Sequence, residues 1–186
     1  MNKSELRTLL RSRRAAHVRM LGEAGDLDLA RHHIAGRIMA RLDGATILSA
    51  YLSDGAEVDA LPTLEAAAAQ GLETALPHVT RRTEPMRFLR WRPGDALVEG
   101  PFGLRQPRDD APELLPDLIL TPLLGFDRTL ARLGQGAGFY DRAFASLPAA
   151  RRIGLAWSVQ EMPALPCDPW DIPLHAIVTE KEWIGQ

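Results

Sequence analysis

The 186-residue chain is long enough for one domain with a sizeable core and short for two. Hydrophobic residues make up 46% and charged residues 25%, the balance of a globular fold, and a net charge of −2 excludes a whole-molecule polyanion binder. The single cysteine, Cys167, excludes an intrachain disulfide framework, and no apolar run reaches the length of a membrane span.

Residues 1–19 are predicted as a helix. Asn2 followed by Glu5 makes a capping-box start, and Leu6, Leu9 and Leu10 form an apolar stripe. Lys3, Arg7 and Arg14 share one face of that helix. Such a face is either a solvated basic surface or a clamp on an anion, and spacing alone does not choose. Residues 27–42 form a second helix, with Ile34, Ile38 and Leu42 at helical spacing and Gly44 beyond its end.

The pattern then changes. Residues 46–52 suit a buried strand, 62–70 a helix opened by Pro62, and 72–76 and 86–91 two further strands. Residues 117–124 are strongly strand-like, 138–147 helical, and 152–157 and 176–178 buried strands. Strands alternating with helices predict an α/β domain around a largely parallel sheet. Ligands of such sheets sit at the carboxyl ends of the strands, which singles out loops 53–59, 125–138 and 158–175.

The segment from Gly125 to Arg142 is the most informative. Gly134, Gly136 and Gly138 alternate just before a predicted helix start, so backbone N–H groups can approach an anion closely. It is neither a Walker A loop nor a Rossmann fingerprint. Alone it is equally a tight turn; Arg132 before it and Phe139, Tyr140, Asp141 and Arg142 after it favour a phosphate cradle. Asp141, and Asp171 from another loop, are candidate Mg²⁺ ligands, because magnesium takes one or two carboxylates with water and phosphate oxygens. Asp127 reads as a turn residue. Glu57 can accept hydrogen bonds from an amino-pyrimidine edge or serve as a helix-entry residue. Phe102, in a Gly/Pro-rich loop, can stack on a flat ring or anchor the loop. The five histidines show no metal-ligand spacing, and the arginines at 81, 82, 87, 90 and 92 flank a strand rather than form a nucleic-acid stripe.

In order along nearly the whole chain, these segments resemble the 5-formyltetrahydrofolate cyclo-ligase family. The resemblance rests on Lys3 to Arg7, Tyr51-Leu52, Glu57-Val58-Asp59, the Phe102–Pro107 loop, Gly125-Phe-Asp, Arg132 to Asp141, and Trp170-Asp-Ile-Pro-Leu. It is most specific over Arg132–Asp141. Many members carry a lysine where this chain has Ala137, and a basic residue or glycine at Gln135, so weight shifts here to Lys3, Arg7 and Arg132.

The resemblance implies a single domain over residues 1–186 with a three-layer αβα sandwich and a mostly parallel sheet. It implies Mg-ATP-dependent closure of 5-formyltetrahydrofolate to 5,10-methenyltetrahydrofolate. ATP would be held by Lys3, Ser4, Glu5, Leu6 and Arg7, and by Arg132, Leu133, Gly134, Gln135, Gly136, Ala137, Gly138, Phe139 and Tyr140. Folate would meet Leu52, Glu57, Phe102 and the loop from Gln135 to Phe139; Mg²⁺ would meet Asp141 and Asp171. Arg132 and Tyr140 are the candidates for a catalytic part, and no residue stands out as a general base. The expected setting is a cytoplasmic monomer acting on small molecules, without nucleic acid or membrane. The competing readings are a sugar-phosphate isomerase or hydrolase on a similar scaffold, and a non-catalytic folate- or nucleotide-binding module.

Overall fold

The computed structural model describes residues 2–185. Its first helix, α1 (Lys3–Ala24), starts where the capping box places it. The Asn2 side chain accepts from the backbone N–H groups of Ser4 and Glu5, and Glu5 accepts from the Asn2 N–H, all at 2.9 Å. The helix runs more than a turn beyond the predicted end and stops at Gly25, whose φ of 78° allows a left-handed C-cap. After α2 (Leu27–Met39) come β1 (Ile47–Ser49), α3 (Leu61–Ala69), β2 (Glu73–His78) and β3 (Arg87–Arg90). A two-residue ribbon, β4 (Val98–Glu99) with β5 (Arg105–Gln106), precedes β6 (Leu118–Pro122). A second ribbon, β7 (Gly125–Phe126) with β8 (Arg132–Leu133), leads into α4 (Phe139–Ser146), followed by β9 (Arg151–Leu155), β10 (Ala176–Val178) and β11 (Trp183–Gly185).

Seven strands form one sheet in the order β11-β10-β9-β6-β1-β2-β3. The inner pairings are parallel, and only the edge strands β11 and β3 run antiparallel. The inner strands are apolar on both sides because both faces are covered. Leu118 and Leu120 of β6 pack with Ile34 and Ile38 of α2 and Leu64 of α3, whereas Ile119 between them packs with Ala143 and Phe144 of α4. Helices on both faces make three layers, as expected. Among the described residues no helix is long and apolar enough to cross a membrane.

Several elements differ from the sequence expectation. The short ribbons and β11 are absent from it, and β1 ends at Ser49 rather than at residue 52. The glycine run also follows the β7–β8 ribbon instead of leading straight from a sheet strand into a helix.

Candidate active site

Helix α1 lies across the carboxyl ends of the parallel strands and touches the loops after β1, β6, β9 and β10. Lys3 reaches the loop after β9, where its Nζ donates to Asp168 Oδ2 and Asp171 Oδ2, both at 2.7 Å. Arg7 Nε donates to the Gly134 carbonyl at 2.9 Å, and Arg11 donates twice to Gln135 Oε1. Farther along, Arg14 meets Glu57 in the loop after β1, and His17 meets Glu180 just past β10. Leu6 and Leu10 fix this placement by packing under the loops against Leu124, Leu133 and Leu165. Gly125 allows the approach, since a Cβ there would sit 2.6 Å from Leu10 Cδ1. The basic face of α1 is thus docked onto the loops, not a free solvated face.

At the glycine run, positive φ is confined to Gly136 (101°) and Gly138 (68°). The Arg7 guanidinium lies against Gly136, with its Cζ 3.2 Å from where a Cβ would be. Arg142 donates to the Ala137 carbonyl at 3.1 Å and stacks 5.1 Å above the Phe139 ring. Gln135 and Gly136 are exposed, so the loop presents its backbone outward between Arg7 and α4. Ser4 and Glu5 are exposed and spend their N–H groups on the cap, while Leu6 and Leu133 are core residues.

The Arg132 side chain is 6% exposed, and its Nη2 donates to Asp141 Oδ1 at 2.6 Å. The same oxygen accepts the Ile172 N–H at 3.2 Å, which brings Asp141 up to the loop that carries Asp171. Burial works against ionisation of Asp171, but the Asp168 N–H and the Lys3 ammonium hold its carboxyl below the ordinary value. Arg132, Cys167, Asp171 and Ile172 line a cleft of about 210 Å³. Among the described residues no three metal-ligating side chains converge. Asp141 Oδ2 and Asp171 Oδ1 nevertheless take no hydrogen bond from the described residues, while their sister oxygens are held. Two anchored carboxylates with one open oxygen each fit magnesium, which completes its shell with water and phosphate.

Glu57 sits in the loop after β1, beside Arg14. Its side chain is 12% exposed, with Oε1 3.5 Å from Arg14 Nη1 and Oε2 accepting the Asp54 N–H at 3.1 Å. Burial raises its carboxyl above the ordinary value, opposed by the Asp54 N–H and the Arg14 charge. Tyr51 is buried and donates to the Val58 carbonyl at 2.7 Å; burial and then the Glu57 charge hold its phenol well above the usual range. Tyr140 approaches from α4, its phenol likewise raised by burial and by Glu57. Phe102 is exposed, in a left-handed conformation (φ 65°), with its ring centroid 6.4 Å from that of Phe139. Leu52 is half-buried against the core. Glu57 and Tyr140 are close enough to couple electrostatically, and Phe139, next to Tyr140 in the chain, faces Phe102.

Four participants were not legible in the sequence. Asp168 and Arg11 lie far from their partners in the chain and carry no local pattern. His17 and Glu180 meet only because α1 crosses the end of β10. Asp127 is a turn residue as expected, accepting from Thr129, but it also ties down the Leu165 N–H.

A sequence model of the 5-formyltetrahydrofolate cyclo-ligase family matches residues 1–180. The 5-formyltetrahydrofolate cyclo-ligase of Mycolicibacterium smegmatis is 33% identical over 98% of this chain and 96% of that protein. The Escherichia coli K12 protein of the same name is 33% identical over 75% of this chain and 81% of its own length. Among solved structures, the Aquifex aeolicus 5,10-methenyltetrahydrofolate synthetase superposes with a TM-score of 0.83 at 27% identity, covering all of this chain and 93% of the other. The Mycoplasma pneumoniae synthetase, at 23% identity and a TM-score of 0.76, shares the fold. On sequence, fold and the order of its loops, the chain belongs to the 5-formyltetrahydrofolate cyclo-ligase family of enzymes.

Proposed function

We propose that this chain uses Mg-ATP to convert 5-formyltetrahydrofolate into 5,10-methenyltetrahydrofolate, releasing ADP and phosphate. The formyl oxygen on N5 is a poor leaving group. Transfer of the γ-phosphoryl group to that oxygen makes a good one; N10 then attacks the formyl carbon, and the phosphate departs with the N10 proton as the ring closes. The observation that carries the reading is the single face of α1 that sets Arg7 on the glycine loop and Arg14 on Glu57. The two residues are about 10 Å apart along the helix, a span suited to phosphates at one end and a pterin at the other.

In this reading Lys3, Arg7 and the Gly134–Gly138 backbone hold the phosphates. Arg132 stabilises charge on the transferring group, in a site where positioning and electrostatics supply most of the catalysis. Asp141 and Asp171 would hold magnesium, which supplies charge neutralisation at the phosphates. Glu57 accepts from the amino-pyrimidine edge of the folate, Phe102 and Phe139 cover its ring, and Tyr140 stays a neutral phenol able to donate. The test is to mix protein, Mg-ATP and 5-formyltetrahydrofolate and follow near-ultraviolet absorbance. Growth of the methenyl band that requires all three supports the reading; no band, or one independent of ATP, overturns it.

A further inference from the structure

Arg14 is the most deeply buried cation on the docked face of α1. Its side chain is 8% exposed, and its Nε has no hydrogen-bond partner among the described residues. Its one polar contact there is Glu57 Oε1 at 3.5 Å. A buried guanidinium with a single long contact is a poor device for stability, because desolvation of the pair offsets its attraction. An apolar side chain at this position would extend the stripe begun by Leu6 and Leu10 without that cost. The charge therefore calls for another explanation, and its one polar contact among the described residues is the carboxylate assigned above to the folate.

The groups around Glu57 come from three elements: Tyr51 and Asp54 from its own loop after β1, Tyr140 from α4 and Arg14 from α1. His17, about a turn farther along α1, lies 3.5 Å from Glu180 just past β10. Neither tyrosine ionises near neutral pH, and Asp54 repels a second negative charge. Arg14 is the one permanent cation of the set. The Asp54 N–H and Arg14 both favour the carboxylate; without Arg14 only that N–H opposes burial and the Asp54 charge, and Glu57 moves towards the neutral acid, which offers one acceptor fewer and no charge to a pterin edge.

We propose that Arg14 is a positioning residue for the folate site, holding the Glu57 carboxylate ionised and fixed in place for the substrate. The proposal rests on the reading of Glu57 as the folate-binding carboxylate, and the experiment separates the two. Arg14→Met, Arg14→Lys, Glu57→Gln and the double variant Arg14→Met/Glu57→Gln are assayed for the KM of each substrate, for folate kcat/KM across pH, and for melting temperature. Arg14→Met is expected to raise the folate KM roughly tenfold at neutral pH and to leave the ATP KM within about twofold. The acidic limb of folate kcat/KM moves to higher pH in Arg14→Met and returns towards the wild-type position in Arg14→Lys. The double variant is no worse than Glu57→Gln, because Arg14 acts through Glu57. Where Arg14→Met fails to fold, Arg14→Gln, polar and uncharged, carries the same expectations.

Wild-type folate KM and an unmoved limb in the Arg14 variants, with Glu57→Gln impaired, overturn the proposal alone. A lower melting temperature with parallel changes in both KM values and an unmoved limb makes Arg14 merely structural and also overturns it. A Glu57→Gln variant with normal folate KM removes the reading of Glu57, and the proposal with it.

Discussion

Arg132 Nη2 and Asp141 Oδ1 lie 2.6 Å apart, so the residue before the glycine run is bonded to the acidic residue just after it. The pair closes the base of the glycine loop. Asp141 therefore has two tasks, holding a buried guanidinium and offering its other oxygen outward.

Both tasks are expected to show in Asp141→Asn. Leaving the Arg132 charge without its counterion costs about 1–3 kcal/mol of stability, read as a lower melting temperature in the absence of any ligand. Losing the open carboxylate oxygen weakens the grip on magnesium, so ATP turnover falls and saturates at higher Mg²⁺. An unchanged Mg²⁺ requirement, with only the melting temperature lowered, would restrict Asp141 to the first task.

Lys3 is poised between Asp168 and Asp171. Burial opposes its charge, but the hydrogen bonds it donates to both carboxylates hold the ammonium above its ordinary value. The signs give a flat window. The raised Lys3 contributes fully below its unfolded value of 10.5 and is lost as pH rises through its folded one; the depressed Asp171 contributes above 3.8 and is lost as pH falls below that. The tether is part-exposed and amounts to at most about 1 kcal/mol. Lys3→Ala is expected to lower the melting temperature slightly and by a constant amount between about pH 5 and 9, while raising the ATP KM several-fold. Arg7→Ala is expected to do the same to ATP, since Arg7 lies against Gly136. ATP saturation curves at fixed folate check this, and normal curves in both variants assign the face to folding alone.

Glu57→Gln keeps shape and removes charge. Charge-assisted hydrogen bonds contribute about 1.5–3 kcal/mol each, so the folate KM is expected to rise roughly tenfold or more with the ATP KM unchanged. A change confined to ATP would place Glu57 at the wrong ligand.

Phe102 adopts a left-handed backbone, which costs a side-chain-bearing residue about 1–2 kcal/mol. Its exposed ring faces Phe139, where the proposed function puts the folate ring. Phe102→Gly should relieve the backbone and lose the ring, raising the folate KM without lowering the melting temperature. Phe102→Leu, which keeps bulk, should keep more of the affinity than Gly. Equal folate KM values in the wild type and both variants would reduce Phe102 to a loop residue.

Much of this was legible in the chain itself. The capping box at Asn2 and Glu5, the apolar runs of β6 and β10, and the glycines at 136 and 138 act through neighbours in sequence, where 3.6- and 2-residue periods and permitted φ values decide the outcome. The common face of Lys3, Arg7 and Arg14 follows from helical geometry alone. What that face meets does not. Asp168, Gly134 and Glu57 lie 165, 127 and 43 residues from their α1 partners. The β4–β5 and β7–β8 ribbons are two residues a side, too short for any period to register. The packing of Leu6 and Leu10 beneath the loops, with the polar contacts of the same face, sets α1 across the strand ends. That choice depends on the shape of a folded core, because burial is non-directional and rewards whichever surface fits.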